Sequence, residues 1–279
     1  MGTIKYLTPE EFRKLQLAQL PLIEELDRVC RKHDIKYTIA CGSLLGAVRH
    51  KGYIPWDDDA DITMLREDYE KFRKVAHEMD PSIAFFQDHY NDPEYLWGYA
   101  KIRRTGTKFV RVGQEHIHCK TGVAIDIFPL DDCPKSIIGQ FFQDIDCFFI
   151  RKIPYSRVAK YSSKGLEKLG YKFLSLFPVE WSFKRIEHYA KKSNNSTPNN
   201  VRLLSIMSWG KIWRKHPLKQ RYSMPKKWFL ERDLYEFEGH QFYGIKDYDA
   251  FLEFLYGDYM TLPPEDKREP HAPVSEYDF

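Results

Sequence analysis

No window of the 279-residue chain approaches the roughly 18 consecutive apolar residues that a membrane-spanning helix needs. The N-terminal stretch MGTIKYLTPEEFRKLQ lacks the apolar run of a secretory signal, and Tyr6 breaks the myristoylation pattern, which requires Ser or Thr there. An excess of one charge is missing as well. The 43 Lys and Arg stand against 40 Asp and Glu, and a net +3 is too little for a protein that holds nucleic acid by bulk electrostatics. Cysteine is sparse: Cys30, Cys41, Cys119, Cys133 and Cys147 are odd in number, scattered and without a C-x-x-C pair. That excludes a disulfide framework and fits reduced thiols in a cytoplasm. Internal repeats and low-complexity segments are absent too. What remains is a soluble globular composition, 43% hydrophobic and 30% charged, with any membrane association at most peripheral.

The punctuation of the chain predicts an α+β protein. Thr8, Pro9 and Glu11 open a first helix with a capping box, and Phe12, Leu15, Ala18, Leu22, Leu26 and Val29 recur at helical spacing. Pro21 falls inside that pattern and predicts a kink or break. IKYTIACGSLLGA reads as a strand, a Gly-Ser turn and a short helix; ADITM as a second strand; EDYEKFRKVAHEM as a second amphipathic helix. Strands follow at 83–87, 99–104 and 123–128, with KFVRV (108–112) expected to pair between the last two. Beyond Pro134 the pattern is helical, then a polar loop at 191–200, a hairpin turning at Gly239 and a helix stopped by Gly257. The expected division is a core over 1–133 and a helical and hairpin portion over 134–279 that completes the cleft of one compact unit.

The most informative stretch is PWDDDADITM. On a strand, residues two apart face the same side, so Asp59 and Asp61 project together while Ala60 and Ile62 turn inward. Paired carboxylates need a cation, and oxygen-only ligands suit Mg²⁺ or Mn²⁺. Asp126, alone in the apolar run VAIDIF, is costly to bury without a partner and shares a face with Ala124 and Phe128. If its strand neighbours that of Asp59 and Asp61, three acids converge on a site for one or two metals over a polyphosphate. Asp57 and Asp58 read most simply as solvated or capping loop residues.

Gly42 and Ser43, after a strand and before a helix, can offer backbone N–H groups and a hydroxyl to a phosphate. Arg49, His50 and Lys51 can neutralise it, as can Lys101 and Arg103, which share a strand face. A strand–Gly–helix stretch by itself is more often simply a turn, while a solvated basic turn and an exposed strand face explain the cations equally well. His116, His118, Cys119 and Cys133 include four potential zinc ligands at no standard spacing.

GSLLGAVRHKGYIPWDDDADITM, AKIRRTGT, GVAIDIFPLDD and YGDYMTLPPEDKREPH together resemble the LicD family, bacterial phosphorylcholine transferases related to the fukutin proteins and similar to the nucleotidyltransferase superfamily. The resemblance implies a nucleotidyltransferase-like mixed sheet flanked by helices. It also implies a donor such as CDP-choline, or a related CDP-alcohol, and an acceptor hydroxyl on a glycan or lipid-linked oligosaccharide. Catalysis and metal binding would fall to Asp59, Asp61 and Asp126, and donor phosphate binding to Gly42, Ser43, Arg49, Lys101 and Arg103. A quaternary ammonium has no N–H to donate and is held over aromatic faces. Tyr53, Trp56, Tyr95 and Trp97 are the candidates. Two rivals are nucleotidyl transfer at an NTP α-phosphate and a non-catalytic glycan- or nucleotide-binding module. The C-terminal block with Gly257, Asp258, Lys267, Arg268 and His271 either closes over the site or forms a docked tail.

Overall fold

A computed structural model describes residues 4–193, 199–205, 223–268 and 273–279. Its helices are α1 (Pro9–Lys32), α2 (Cys41–His50), α3 (Arg66–Val75), α4 (Ile137–Ser162), α5 (Gly165–Leu174), α6 (Val179–Ser193), α7 (Lys227–Leu230) and α8 (Tyr248–Tyr256). The strands are β1 (Thr38–Ile39), β2 (Asp61–Leu65), β3 (Ala84–Gln87), β4 (Ala100–Arg104), β5 (Lys108–Arg111), β6 (Ala124–Asp132), β7 (Asn200–Leu203), β8 (Met224–Pro225), β9 (Arg232–Phe237), β10 (His240–Ile245) and β11 (Val274–Asp278).

The capping box forms as the residues dictate. The Thr8 hydroxyl accepts from the Glu11 amide at 3.3 Å, and the Glu11 carboxylate accepts from the Thr8 amide at 2.8 Å. Pro21 does not break α1. Leu17, the residue whose carbonyl loses its partner, lies on the exposed side, while Leu22, Ile23 and Leu26 seal the following turn into the core.

Seven strands run in the order β3-β4-β6-β2-β1-β10-β9, and β7 and β8 bring the mixed sheet to nine. Nine residues long, β6 has a different outer partner at each end. Ala124–Ile127 pair with β4, and Leu130–Asp132 with β7. Along its other edge β6 runs parallel to β2, with Asp61 opposite Asp126. KFVRV therefore finds no slot between β4 and β6, because Lys101 already pairs with Asp126 and Ile102 with Ile125. It forms β5 of a separate ribbon with β11 instead.

Both parts of the chain build the sheet. β10 lies parallel to β1, with Ile39 opposite Gly244, and Val201, Trp228, Phe237 and Phe251 share one apolar core with Leu22, Ile62 and Ile127. The β9–β10 hairpin turns at Glu238 and Gly239, both with positive φ, and Gly257 (φ 74°) ends α8 as its sequence position predicts. Of the loop predicted at 191–200, residues 191–193 continue α6 and Asn200 opens β7, while 194–198 lie outside the described residues.

Two features tie helices to the sheet, one from α3 and one from α6. At the far end of β6 the Arg66 guanidinium grips Asp131 with two bonds of 2.6 and 2.7 Å, both side chains buried. Near the end of β3, His89 stacks on Phe183 of α6, with ring centroids 4.0 Å apart and planes 12° apart. Burial, with help from Arg73 and Arg66, pushes the His89 pKa down to about 4. The folded protein thus binds this proton less readily than the unfolded chain, and stability contributed here is lost as pH falls from about 6.5 toward 4. Urea titrations at pH 7 and pH 4.5 should show at most about 3 kcal/mol of loss from this group, reduced in His89→Phe.

Candidate active site

Cys41, in the left-handed region at φ 49°, turns the chain directly from β1 into α2. Gly42 and Ser43 therefore occupy the first turn of that helix instead of a separate turn. At Gly42 a Cβ would lie 2.2 Å from Oδ2 of Asp57, so only glycine lets the carboxylate come so close to the helix start. The buried Ser43 hydroxyl accepts the Asp61 amide at 2.8 Å, which fixes the start of β2 on α2.

The aspartate loop is pinned from behind by α1. Buried Gln16 donates to the carbonyls of Ile54 (3.1 Å) and Asp57 (2.9 Å), and Gln19 to that of Asp58 (2.9 Å). Asp57 and Asp58 are consequently buried, not solvated. Oxygens of Asp57, Asp58 and Asp59 lie within 4.8 Å of one another. Asp58 also pairs with Arg111 at 3.0 Å.

Ala60 and Ile62 are fully buried, so Asp59 and Asp61 face the other way, half-buried. Register places Asp61 and Asp126 side by side on parallel strands and Lys101 opposite Asp126 on the antiparallel one. Lys101 Nζ donates to the Asp126 carboxylate. Burial, then the charges of Asp59 and Asp126, drive the Asp61 pKa well above the usual carboxylate range, with only Lys101 pulling back. Burial lowers the Lys101 pKa, although Asp126 opposes that shift. An all-oxygen donor set fits a hard divalent cation, and Asp57, Asp58 and Asp59 are the residues that would hold it. The predicted triad of Asp59, Asp61 and Asp126 does not form such a group among the described residues, because the Asp126 carboxylate is taken up by Lys101 although register sets it beside Asp61.

Two cavities meet at these acids. One of about 750 Å³ is lined by Cys41, Gly42, Arg49, Trp56, Asp59 and Asp61, and walled by the segment from Tyr256 to Lys267. The other, about 280 Å³, holds Asp58, Asp59 and Asp126 beside Lys101, Arg103 and Arg111. Trp97, Tyr99 and Gln114 continue it into a third cavity of about 360 Å³ against α4.

The remaining predicted residues divide. Arg49 reaches the Tyr259 carbonyl at 2.7 Å, so the C-terminal block is part of the cavity wall; His271 lies outside the described residues. Arg103 is buried and bonded to Gln87 and to the Gly122 carbonyl. Trp56 and Trp97 line cavities, whereas Tyr53 packs on Phe237 in the core and Tyr95 is fully buried beside Trp97. His116, His118, Cys119 and Cys133 form no ligand cluster among the described residues. His116 Nε2 sits 2.9 Å from the Arg157 carbonyl oxygen, and Cys133 is buried. Sequence reasoning missed Arg111, Tyr99 and the two glutamines. A run of contiguous aspartates ahead of a buried Ala60 was a signal that Asp58 needed a cation of its own.

Residues 34–148 match the family model described as LicD/FKTN/FKRP, nucleotidyltransferase domain. The matched LicD segment contains Gly42, Ser43, Lys101 and all five acids. Similarity to the lipopolysaccharide cholinephosphotransferase LicD of Haemophilus influenzae extends further, 27% identity over 281 residues that cover 93% of this chain and 95% of that protein. Uncharacterized proteins of Rickettsia typhi and Rickettsia prowazekii are 44% identical over 62 residues and 47% over 67 residues. Those matches cover 22% and 24% of this chain, and 20% and 25% of the two proteins.

Proposed function

We propose that this protein transfers phosphocholine from a CDP-linked donor to a hydroxyl of a cell-surface glycan. The observation that carries the reading is the end-to-end similarity to a lipopolysaccharide cholinephosphotransferase, joined to a site of clustered carboxylates beside cations. The 750 Å³ cavity has the volume of a nucleotide pocket, and we assign the nucleotide end of CDP-choline to it, with the diphosphate and choline reaching past Asp59 into the neighbouring cavity. Mg²⁺ or Mn²⁺ on the aspartates would neutralise the donor diphosphate when bound. Lys101 and Arg111, already beside Asp126 and Asp58, supply fixed positive charge to the same phosphates. Ser43 acts by holding Asp61 in place through its amide.

In the reaction the acceptor oxygen bonds to the choline-bearing phosphorus, the P–O bond to CMP breaks, and CMP leaves with the electron pair. Asp126 takes the acceptor's proton. Binding and charge placement do most of the work, as in phosphoryl transfer generally. Choline suits Trp97, which lines both neighbouring cavities, better than Trp56 or Tyr99, where the Arg268 guanidinium and Lys101 Nζ already lie 5.3 and 5.5 Å from the ring centroids. The donor is expected to act on the cytoplasmic side, with lipopolysaccharide or teichoic acid precursors as acceptors.

Thermal-shift titration with CDP-choline, CDP-ribitol, CDP-glycerol and NTPs, each with and without Mg²⁺, tests the donor. CDP-choline is expected to raise the melting temperature only with the metal, and CMP should appear once acceptor is added. Pyrophosphate released from an NTP would replace this reading with nucleotidyl transfer. Binding without any turnover would reduce the protein to a recognition module.

A further inference from the structure

Helix α5 is amphipathic, and its apolar side points the wrong way for a helix that completes a core. Leu166, Leu169 and Phe173, spaced three and four apart, are 87%, 60% and 61% exposed, and Leu176 just beyond is 77% exposed. Tyr171 is the buried residue of the helix. Its ring packs on Tyr155 of α4, and its hydroxyl accepts from Lys152 at 2.7 Å. Arg157 donates to the Phe177 carbonyl at 2.9 Å and holds the far end of the same unit. The helix is thus fastened to α4 through the ring and hydroxyl of Tyr171, with Leu166, Leu169 and Phe173 turned outward. Folding alone does not explain that orientation, since exposing so much apolar surface costs what burying it would gain.

Charge identifies the occupant. Between Phe148 and Val179 stand seven basic residues (Arg151, Lys152, Arg157, Lys160, Lys164, Lys168 and Lys172) and one acid, Glu167. This segment is more positive than the whole chain at +3, so the remainder is net acidic. Exposed leucines and a phenylalanine bordered by lysines are the pattern of a helix lying in the headgroup region of an anionic bilayer. No helix among the described residues is long and apolar enough to cross a membrane.

We infer that α5, with the adjoining surface of α4, is a docking surface for an anionic membrane leaflet. Leucines and Phe173 enter the interface, and Lys164, Lys168 and Lys172 meet lipid phosphates. The orientation also matters for the reaction, a step that rests on the function proposed above. Ile150, Arg151, Pro154, Tyr155 and Val158 of α4 wall the 360 Å³ cavity that continues to Lys101 and Asp126. A glycan anchored in that leaflet therefore meets the cavity from the membrane side.

Vesicle co-sedimentation of the full chain, with no donor or acceptor present, tests the docking surface independently of catalysis. Pelleting is expected with vesicles of phosphatidylcholine and phosphatidylglycerol, and much less with phosphatidylcholine alone or at 0.5 M NaCl. Replacing Lys164, Lys168 and Lys172 together by Ala should weaken the affinity about 100-fold, and Leu169→Asp with Phe173→Asp should abolish pelleting. All five positions except Lys168 are exposed, and unchanged circular dichroism and melting temperature will show that the variants fold. Equal binding to neutral and anionic vesicles, no binding to either, or a dimer by light scattering that the Leu169/Phe173 variant disrupts would each overturn the inference.

Discussion

Asp61→Asn is expected to lower kcat for phosphocholine transfer by about 1,000-fold or more while leaving the fold intact or slightly more stable. Asn keeps the shape and the place in β2, and its backbone amide still donates to Ser43. What disappears is one negative charge among Asp57, Asp59 and Asp126, which is the charge a divalent cation and a diphosphate would need. The same substitution should abolish the Mg²⁺-dependent thermal shift with CDP-choline.

The stability side of that prediction has a definite sign. Burial and the neighbouring carboxylates of Asp59, Asp126 and Asp57 raise the Asp61 pKa, so the folded state keeps this proton to a higher pH than the unfolded chain does. Stability of the wild type in EDTA is therefore lost as pH rises from the ordinary carboxylate value toward the raised one, and stays lower above it. The Asn variant lacks that component. Melting curves from pH 4 to 8 in EDTA check it: the variant should gain on the wild type with rising pH. A folded Asp61→Asn protein with wild-type turnover would remove this carboxylate from the chemistry.

The second large effect concerns structure alone. Arg66→Met is expected to destabilise the protein by about 3–5 kcal/mol, because it leaves the fully buried Asp131 carboxylate without its two-pronged partner. Glu70, also paired with Arg66, sits on the more exposed side and recovers solvent. The double variant Arg66→Met with Asp131→Leu should regain much of the loss, since the cost comes from the stranded charge. Urea unfolding of both variants measures it. Equal losses in the single and double variants would show that Arg66 acts through packing and not through charge.

Why some of this was legible in the sequence and some was not follows from the range of each interaction. The capping box, the alternation around Asp59 and Asp61, the lone acid in VAIDIF and the stop at Gly257 are local, and each formed as read. Asp126 was found because an acid between isoleucines is expensive wherever it lies. The misreadings involve long-range pairing. KFVRV has the pattern of any short strand, and nothing within it says that its partner, β11, lies more than 160 residues away. Arg111 on that strand was missed for the same reason. The solvated reading of Asp57 and Asp58 failed because it assumed water where Gln16, Gln19 and Arg111 had already closed the loop. Tyr53 and Tyr95 carry the same aromatic signal as Trp56 and Trp97, and only burial separates core from groove.

Asp59 borders both chambers. Any single compound meant to fill the nucleotide side and the acceptor side at once must thread past that carboxylate. Without a metal its bridging portion should be neutral or cationic, whereas with a divalent cation bound at the aspartates an anionic phosphate bridge like the donor's own would pass.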